Sequence, residues 1–190
     1  VSKRVTLATL ISFFQGLLSG NSGSGNIAAG AELWQVLTAN AAANSTTTMA
    51  AVMTTTSLPA GTYFFRYDII AQSAATTTAH KFAVNAAGTI TRILYHLFFP
   101  SQGVTAATGV VDQEVNTTTG NVWAHESTRI NNTALGPATD VDTANADVHY
   151  VIEGILVTTT SGNLVLNHAS EVAASSQVMA GTQLYLKRLA

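Results

Sequence analysis

The 190-residue chain contains no cysteine. Disulfides, thiolate nucleophiles and cysteine-based zinc sites are therefore excluded, while the redox compartment is left open. Charge is almost as scarce: Asp, Glu, Lys and Arg make up 9% of the chain, against roughly 25% in an ordinary soluble domain. Eight basic residues stand against ten acidic ones, for a net charge of −2. Such a balance cannot neutralise a row of phosphates, so nucleic acid is not an expected partner. No apolar stretch reaches the about 20 residues that a membrane-spanning helix needs, and no membrane is expected either. Also missing are the G-x-S-x-G elbow, a phosphate-cradling glycine loop and the H-E-x-x-H zinc motif. The chain does not read as an enzyme, and no cofactor or small-molecule ligand is expected.

What the chain does have is apolar residues (47%) and an excess of Thr and Ala. Its length suits one domain with a full core. A surface of Thr, Ser, Asn and Ala is unusual for a free monomer, which ordinarily keeps charge outside for solubility. Coverage by copies of itself or by a larger assembly accounts for it.

Two parts are expected. Lys3 and Arg4 precede an apolar run from Val5 to Leu18, interrupted by Thr6, Thr9, Ser12, Gln15 and Gly16. The run superficially resembles a secretory signal but reads as an arm that packs on the domain or a neighbour. Asn21 to Asn26, small and glycine-containing, forms a hinge. Residues 1–26 are thus arm and hinge, and residues 27–190 the domain.

The domain reads as β throughout. Strands are expected over Glu32 to Thr38, Thr46 to Thr56, Thr62 to Ser73, Thr76 to Val84 and Thr89 to Phe99. Further strands are expected over Val104 to Val115, Asn121 to Arg129, Val148 to Thr159, Leu164 to Ala169 and Thr182 to Leu189. Ile130 to Asp147 reads as a long surface loop, and Glu171 to Ser176 as a short one. Turn chemistry at Leu58 to Gly61, Asn85 to Gly88 and Ser161 to Asn163 separates the strands. The clearest alternation is in Thr62 to Ser73: Tyr63, Phe65, Tyr67, Ile69 and Ala71 share one face, and Phe64, Arg66, Asp68, Ile70 and Gln72 the other. The expected fold is all-β, an antiparallel β-sandwich of jelly-roll type.

In Thr89 to Phe99 both faces are apolar, and a sandwich covers only one face of each sheet. Burial of the second face against another subunit resolves this. The predicted interface comprises Phe64, Ile70, Ile93, Tyr95, Leu97 and Phe99, with the arm residues Val5, Leu7, Leu10, Ile11, Phe13, Phe14, Leu17 and Leu18.

Chemical constellations are weak. The five histidines are His80, His96, His125, His149 and His168; a cation site could form only if register joined His80 and His96 to His149 or Glu153. Asp140, Asp142 and Asp147 form an oxygen-rich loop without the glycine and closing glutamate of a calcium hand. Glu32, Glu114, Glu126, Glu153 and Glu171 lie on five elements, and no pair is marked for glycosidase chemistry. A triad of Asp68, His80 and a serine has no supporting motif. Asn44, Asn116 and Asn131 begin glycosylation-type tripeptides, which arise by composition in so Asn- and Thr-rich a chain. Trp34, Trp123, Tyr95, Phe98 and Phe99 could stack a sugar, with core or interface as the plainer roles.

The segments Leu58 to Tyr63 (LPAGTY), Lys81 to Thr89 (KFAVNAAGT), Val151 to Leu164 and Met179 to Leu184 (MAGTQL) resemble structural proteins of tailed bacteriophages with a trimeric jelly-roll body. These are capsid cement or decoration proteins and head domains of tails or spikes. The resemblance runs from about Leu58 to Leu189. It implies a β-sandwich that assembles as a homotrimer in the virion, and it carries over no catalytic residues; as a cement protein the chain would sit at the capsid surface, bound to the major capsid protein. A cement protein fits the chain best; the receptor-binding or adaptor head of a tail fibre or spike is the alternative.

Overall fold

The computed structural model describes residues 28–101, 122–137 and 144–190. These form ten strands and, among the described residues, no helix: β1 (Glu32–Val36), β2 (Ala50–Thr54), β3 (Gly61–Ser73), β4 (His80–Ala86), β5 (Ile90–Ser101), β6 (Val122–Thr128), β7 (Val148–Thr158), β8 (Leu164–Ser170), β9 (Ser176–Val178) and β10 (Gln183–Arg188). The arm, the hinge and the strand expected over Val104 to Val115 lie outside the described residues.

The strands make two antiparallel sheets packed as a β-sandwich. The large sheet runs β1-β10-β3-β7-β5-β6, with β9 also on β3; the small sheet runs β2-β8-β4. The long strand β3 is central because its alternation suits a sheet with one dry face. Tyr63, Phe65, Tyr67, Ile69 and Ala71 are fully buried, whereas Phe64 to Gln72 on the other face are partly exposed. β3 pairs with β7 from Gly61 opposite Thr158 to Ala71 opposite Val148, and β7 in turn pairs with β5. From the small sheet, Phe82, Val84, Leu164 and Leu166 close the core. Each large apolar side chain so buried contributes roughly 1.5–3 kcal/mol of transfer free energy.

Three details set the geometry. Gly154 of β7 lies between Phe65 of β3 and Tyr95 of β5 in register, and a Cβ there would come within 2.7 Å of both side chains. The missing side chain is the space those two rings occupy. β9 and β10 lie along the same side of β3, separated by a kink at Met179 to Thr182. There Gly181 takes φ +92°, and the Thr182 hydroxyl accepts from the Ile70 N–H (3.0 Å) and donates to the Ile70 carbonyl (3.3 Å). The Ile70 carbonyl also accepts from the Met179 N–H (2.8 Å), so a backbone bond and a side chain together carry the ladder past the break. Finally, Asn131 to Gly136 lies along the edge of β4. Leu135 exchanges two 2.8 Å backbone bonds with Phe82, and the Asn131 amide reaches Asn85 and Ala86. The expected surface loop is, over this part, a cover for an otherwise open sheet edge.

Two smaller expectations also shift. β5 continues through Pro100, past the end of its pairing with β7 at Phe98 and still paired with β6. Ser176 to Val178, expected as loop and linker, forms β9.

Candidate functional site

Two places collect side chains that packing of the core does not explain. The first is the outer face of the large sheet. Register arranges it in rows across the strands. Trp34, Tyr185, Arg66, Glu153, His96 and Ser127 form one row from β1 to β6. On one side of it stand Phe64, Ile155 and Leu94; on the other, Asp68, Val151, Phe98 and His125.

Charge is concentrated at the middle. Arg66 forks onto Asp68 with bonds of 2.9 and 3.0 Å, and approaches Glu153 at 3.9 Å. His149 comes within 3.5 Å of Asp68. The guanidinium bonds hold the Asp68 carboxyl below its ordinary value, and the same bonds raise Arg66. At the β1 edge the Tyr185 hydroxyl and the Lys187 ammonium together hold the Glu32 carboxylate below its ordinary value. Aromatic rings flank this line. Trp34 meets Tyr185 at 4.8 Å between centroids, Phe64 meets Tyr185 at 6.2 Å, and His125 packs on Phe98 at 5.6 Å. Trp34 is 61% exposed and Val36 51%. A face with an apolar row (Phe64, Ile155, Leu94) on one side of a bipolar charged cluster, and Val151 and Phe98 on the other, is chemically suited to another protein surface: the apolar area supplies affinity and the charges set register.

The second place is internal. His80 Nδ1 and His168 Nε2 are 3.1 Å apart, and the Ser176 hydroxyl stands 3.3 Å from the same His168 nitrogen. Burial lowers His80 to about 3 and His168 to about 4; for His80 the neighbouring ring adds to the effect. Next to His168 opens a cleft of about 260 Å³ lined by Ala41 to Asn44, Thr46, Thr48 and Met49 to Val52. Asn44 organises its wall. Its amide donates to the His168 and Thr48 carbonyls, and its Oδ1 accepts from the Thr46 N–H and hydroxyl. An asparagine so engaged is a structural strut, which is what the Asn44-Ser45-Thr46 tripeptide encodes here. Asn131 is committed in the same way to the edge of β4.

The predicted interface residues separate into three groups. Phe64 and Ile70 do lie on the outer face of β3, partly exposed. Ile93, Tyr95, Leu97 and Phe99 do not: all are 0–4% exposed and belong to the core. The assignment of faces on β5 is therefore corrected, and the outward residues are Leu94, His96 and Phe98. The eight arm residues lie outside the described residues.

The histidine expectations change too. His80 is in the small sheet and His96 on the outer face of the large one, so the two do not meet. His80 instead meets His168, a residue 88 positions away that periodicity alone could not pair. A cue was present, since Leu164, Leu166 and His168 share a face and a histidine on an apolar face needs a partner. Asp68 is likewise on the outer face, away from His80, and no triad forms from them. Asp147 accepts from Gln72 at 2.8 Å; Asp140, Asp142, Glu114, Asn116 and the Trp123 side chain lie outside the described residues. Among the described residues no three His, Asp or Glu side chains converge on one point.

Comparison with protein-family models, with characterised proteins and with solved structures returned no match.

Proposed function

We propose that this chain is a non-enzymatic structural subunit of a virion. In this reading it is a capsid cement protein that self-associates as a trimer and binds junctions between major capsid subunits. The observation that carries the reading is the outer face of the large sheet. On this six-stranded face opposite charges pair across two adjacent rows, Arg66 with Asp68 and Glu153, and the apolar Phe64, Ile155, Leu94 and Phe98 stand around them. In a chain with so little charge elsewhere, that face is the part built for contact with protein.

Strand order supports a jelly-roll reading of the sandwich. With β6 and β9 set aside as additions, the remaining eight strands, counted along the chain, stand 1-8-3-6-5 in one sheet and 2-7-4 in the other. The jelly roll has 1-8-3-6 and 2-7-4-5, two interlocked Greek keys. The difference is the fifth strand, β5, which pairs with β7 in place of β4.

A cement protein works by mass action. Binding the assembled lattice and not its free subunits stabilises the lattice, and a trimer multiplies weak contacts through effective concentration. The test has two parts. Light scattering on a sizing column should give about 59 kDa for three copies of the 19.8 kDa chain. The protein should then co-sediment with shells assembled from the major capsid protein and raise the temperature at which they open. A monomer that ignores shells overturns the reading, and binding to host surface glycan instead would replace it with that of a receptor-binding head.

A further inference from the structure

The small sheet carries two histidines where apolar side chains would pack without polar cost. In the pairing of β4 with β8, Phe82 is opposite His168 and His80 opposite Ser170, so the imidazoles are diagonal neighbours on the inner face. Their centroids are 5.3 Å apart. His80 stacks on Phe82 and meets Tyr150 of the facing sheet edge-on at 5.4 Å. Exposure is 0% for His80 and 1% for His168.

With both rings neutral, one nitrogen of the 3.1 Å contact between His80 Nδ1 and His168 Nε2 carries the proton and the other accepts it. The Ser176 hydroxyl, which donates to the Asn44 carbonyl at 3.2 Å, stands 3.3 Å from the same His168 nitrogen. His80 Nε2 has no partner among the described residues. One added proton can be shared across the 3.1 Å contact, but it places a charge in the core. A second proton sets N–H against N–H at that distance.

Among the described residues no carboxylate compensates such a charge. The titratable group facing the pair from the large sheet is the Tyr150 phenol, itself pushed up by burial. Lys81, next to His80, turns to the Gly136 carbonyl and is influenced by Glu126 and Glu171; neither carboxylate acts on the imidazoles. Around the pair are also the fastenings between the layers. Asn44 and Ser176 exchange backbone bonds of 2.8 and 3.0 Å, Asn44 holds the His168 carbonyl, and β9 lies on β3 of the large sheet. His168 is also one of the residues lining the cleft.

We propose that His80 and His168 form an acid-sensitive latch, and that proton uptake there unfastens the small sheet from Asn44 and β9 and loosens the sandwich. The direction follows from linkage. Both histidines are depressed in the folded protein, to about 3 and about 4, from an ordinary 6.5. The unfolded chain therefore binds more protons at intermediate pH. The stability that the neutral pair provides is complete above the ordinary histidine value and is lost as pH falls toward the folded values.

Urea unfolding of the full chain at a series of pH values from 7.5 to 4 tests this. Below about pH 6 the unfolded-to-folded ratio should climb about tenfold per pH unit for each histidine, hence about a hundredfold for the pair. The double variant H80L/H168L should lose that part of the slope, and hydrogen exchange at β8 and β9 should quicken in acid in the wild type alone. An unchanged slope in the double variant overturns the proposal. If that variant fails to fold, nitrogen-15 spectra of the wild-type histidines decide. Two rings neutral in the folded protein at pH 5.5 support the latch, and two protonated rings in an intact fold overturn it.

Discussion

Phe65 of β3 and Tyr95 of β5 lean toward each other across β7, their ring centroids 6.5 Å apart, over the one position of that strand with no side chain. Gly154 is therefore a packing residue. A Cβ added there would also lie 2.3 Å from the Leu94 carbonyl and 2.7 Å from the Tyr95 Cβ, so turning the rings aside would not make room for it. Overpacking of a dense core costs about 1–3 kcal/mol or more. Gly154→Val should lower the unfolding free energy by at least that much, read as a lower urea midpoint at an unchanged slope of the transition. A midpoint equal to wild type would mean that the two rings have room to move.

The same region explains what the amino-acid sequence could and could not disclose. β3 was legible because its faces differ in kind: Tyr63, Phe65, Tyr67 and Ile69 on one, Arg66, Asp68 and Gln72 on the other. β5 was legible as a strand but not as to its faces, since Leu94 and Phe98 are as apolar as Ile93 and Leu97. Register with β7 decides between them, and register is a property of two strands far apart in the chain. β9 has three residues, too short for any period to show. His80 and His168 were each visible as a histidine among apolar neighbours, but their meeting depends on the same long-range pairing.

Thr182 is the hinge pin of the β9–β10 kink. Its hydroxyl is the acceptor for the Ile70 N–H and a second donor to the Ile70 carbonyl, beside the Met179 N–H, and its side chain is fully buried. Thr182→Val keeps the shape and removes the hydroxyl, leaving the Ile70 N–H without its acceptor. Unsatisfied buried donors cost about 1–3 kcal/mol. Chemical denaturation should register that loss for Thr182→Val and recover most of it for Thr182→Ser. Equal losses in the two variants would point to the methyl group, not the hydroxyl.

Arg66 and Asp68 stand on the same strand and share two hydrogen bonds at a partly exposed position. Solvent screening limits what they contribute: a double-mutant cycle with Arg66→Met and Asp68→Asn should return a coupling of about 0.2–1 kcal/mol at neutral pH in the free subunit. Because Asp68 is held below its ordinary value, that coupling is present above the usual carboxylate range. It disappears as pH falls through the folded value. It should also shrink in high salt. A coupling of several kcal/mol would mean that the pair is already desolvated, that is, covered by a second molecule under the conditions of measurement.

Neighbouring residues on β5 distinguish the core from the outer face. Ile93 is 3% exposed and points between the sheets, whereas Leu94 points outward in the row that includes Phe64 and Ile155. A carboxylate at the first position is buried without a partner, which no sandwich of this size can absorb. At the second it meets only whatever docks on the outer face. Ile93→Asp should yield insoluble or unfolded protein. Leu94→Asp, and equally Phe64→Asp, should yield soluble protein with the wild-type far-ultraviolet circular dichroism. If the outer face is where copies meet, these two variants should elute as single 19.8 kDa chains where the wild type elutes as an oligomer. Sizing with light scattering makes the comparison directly. Oligomers that survive both outer-face substitutions would remove this sheet from the assembly contact and move the search to the strand edges.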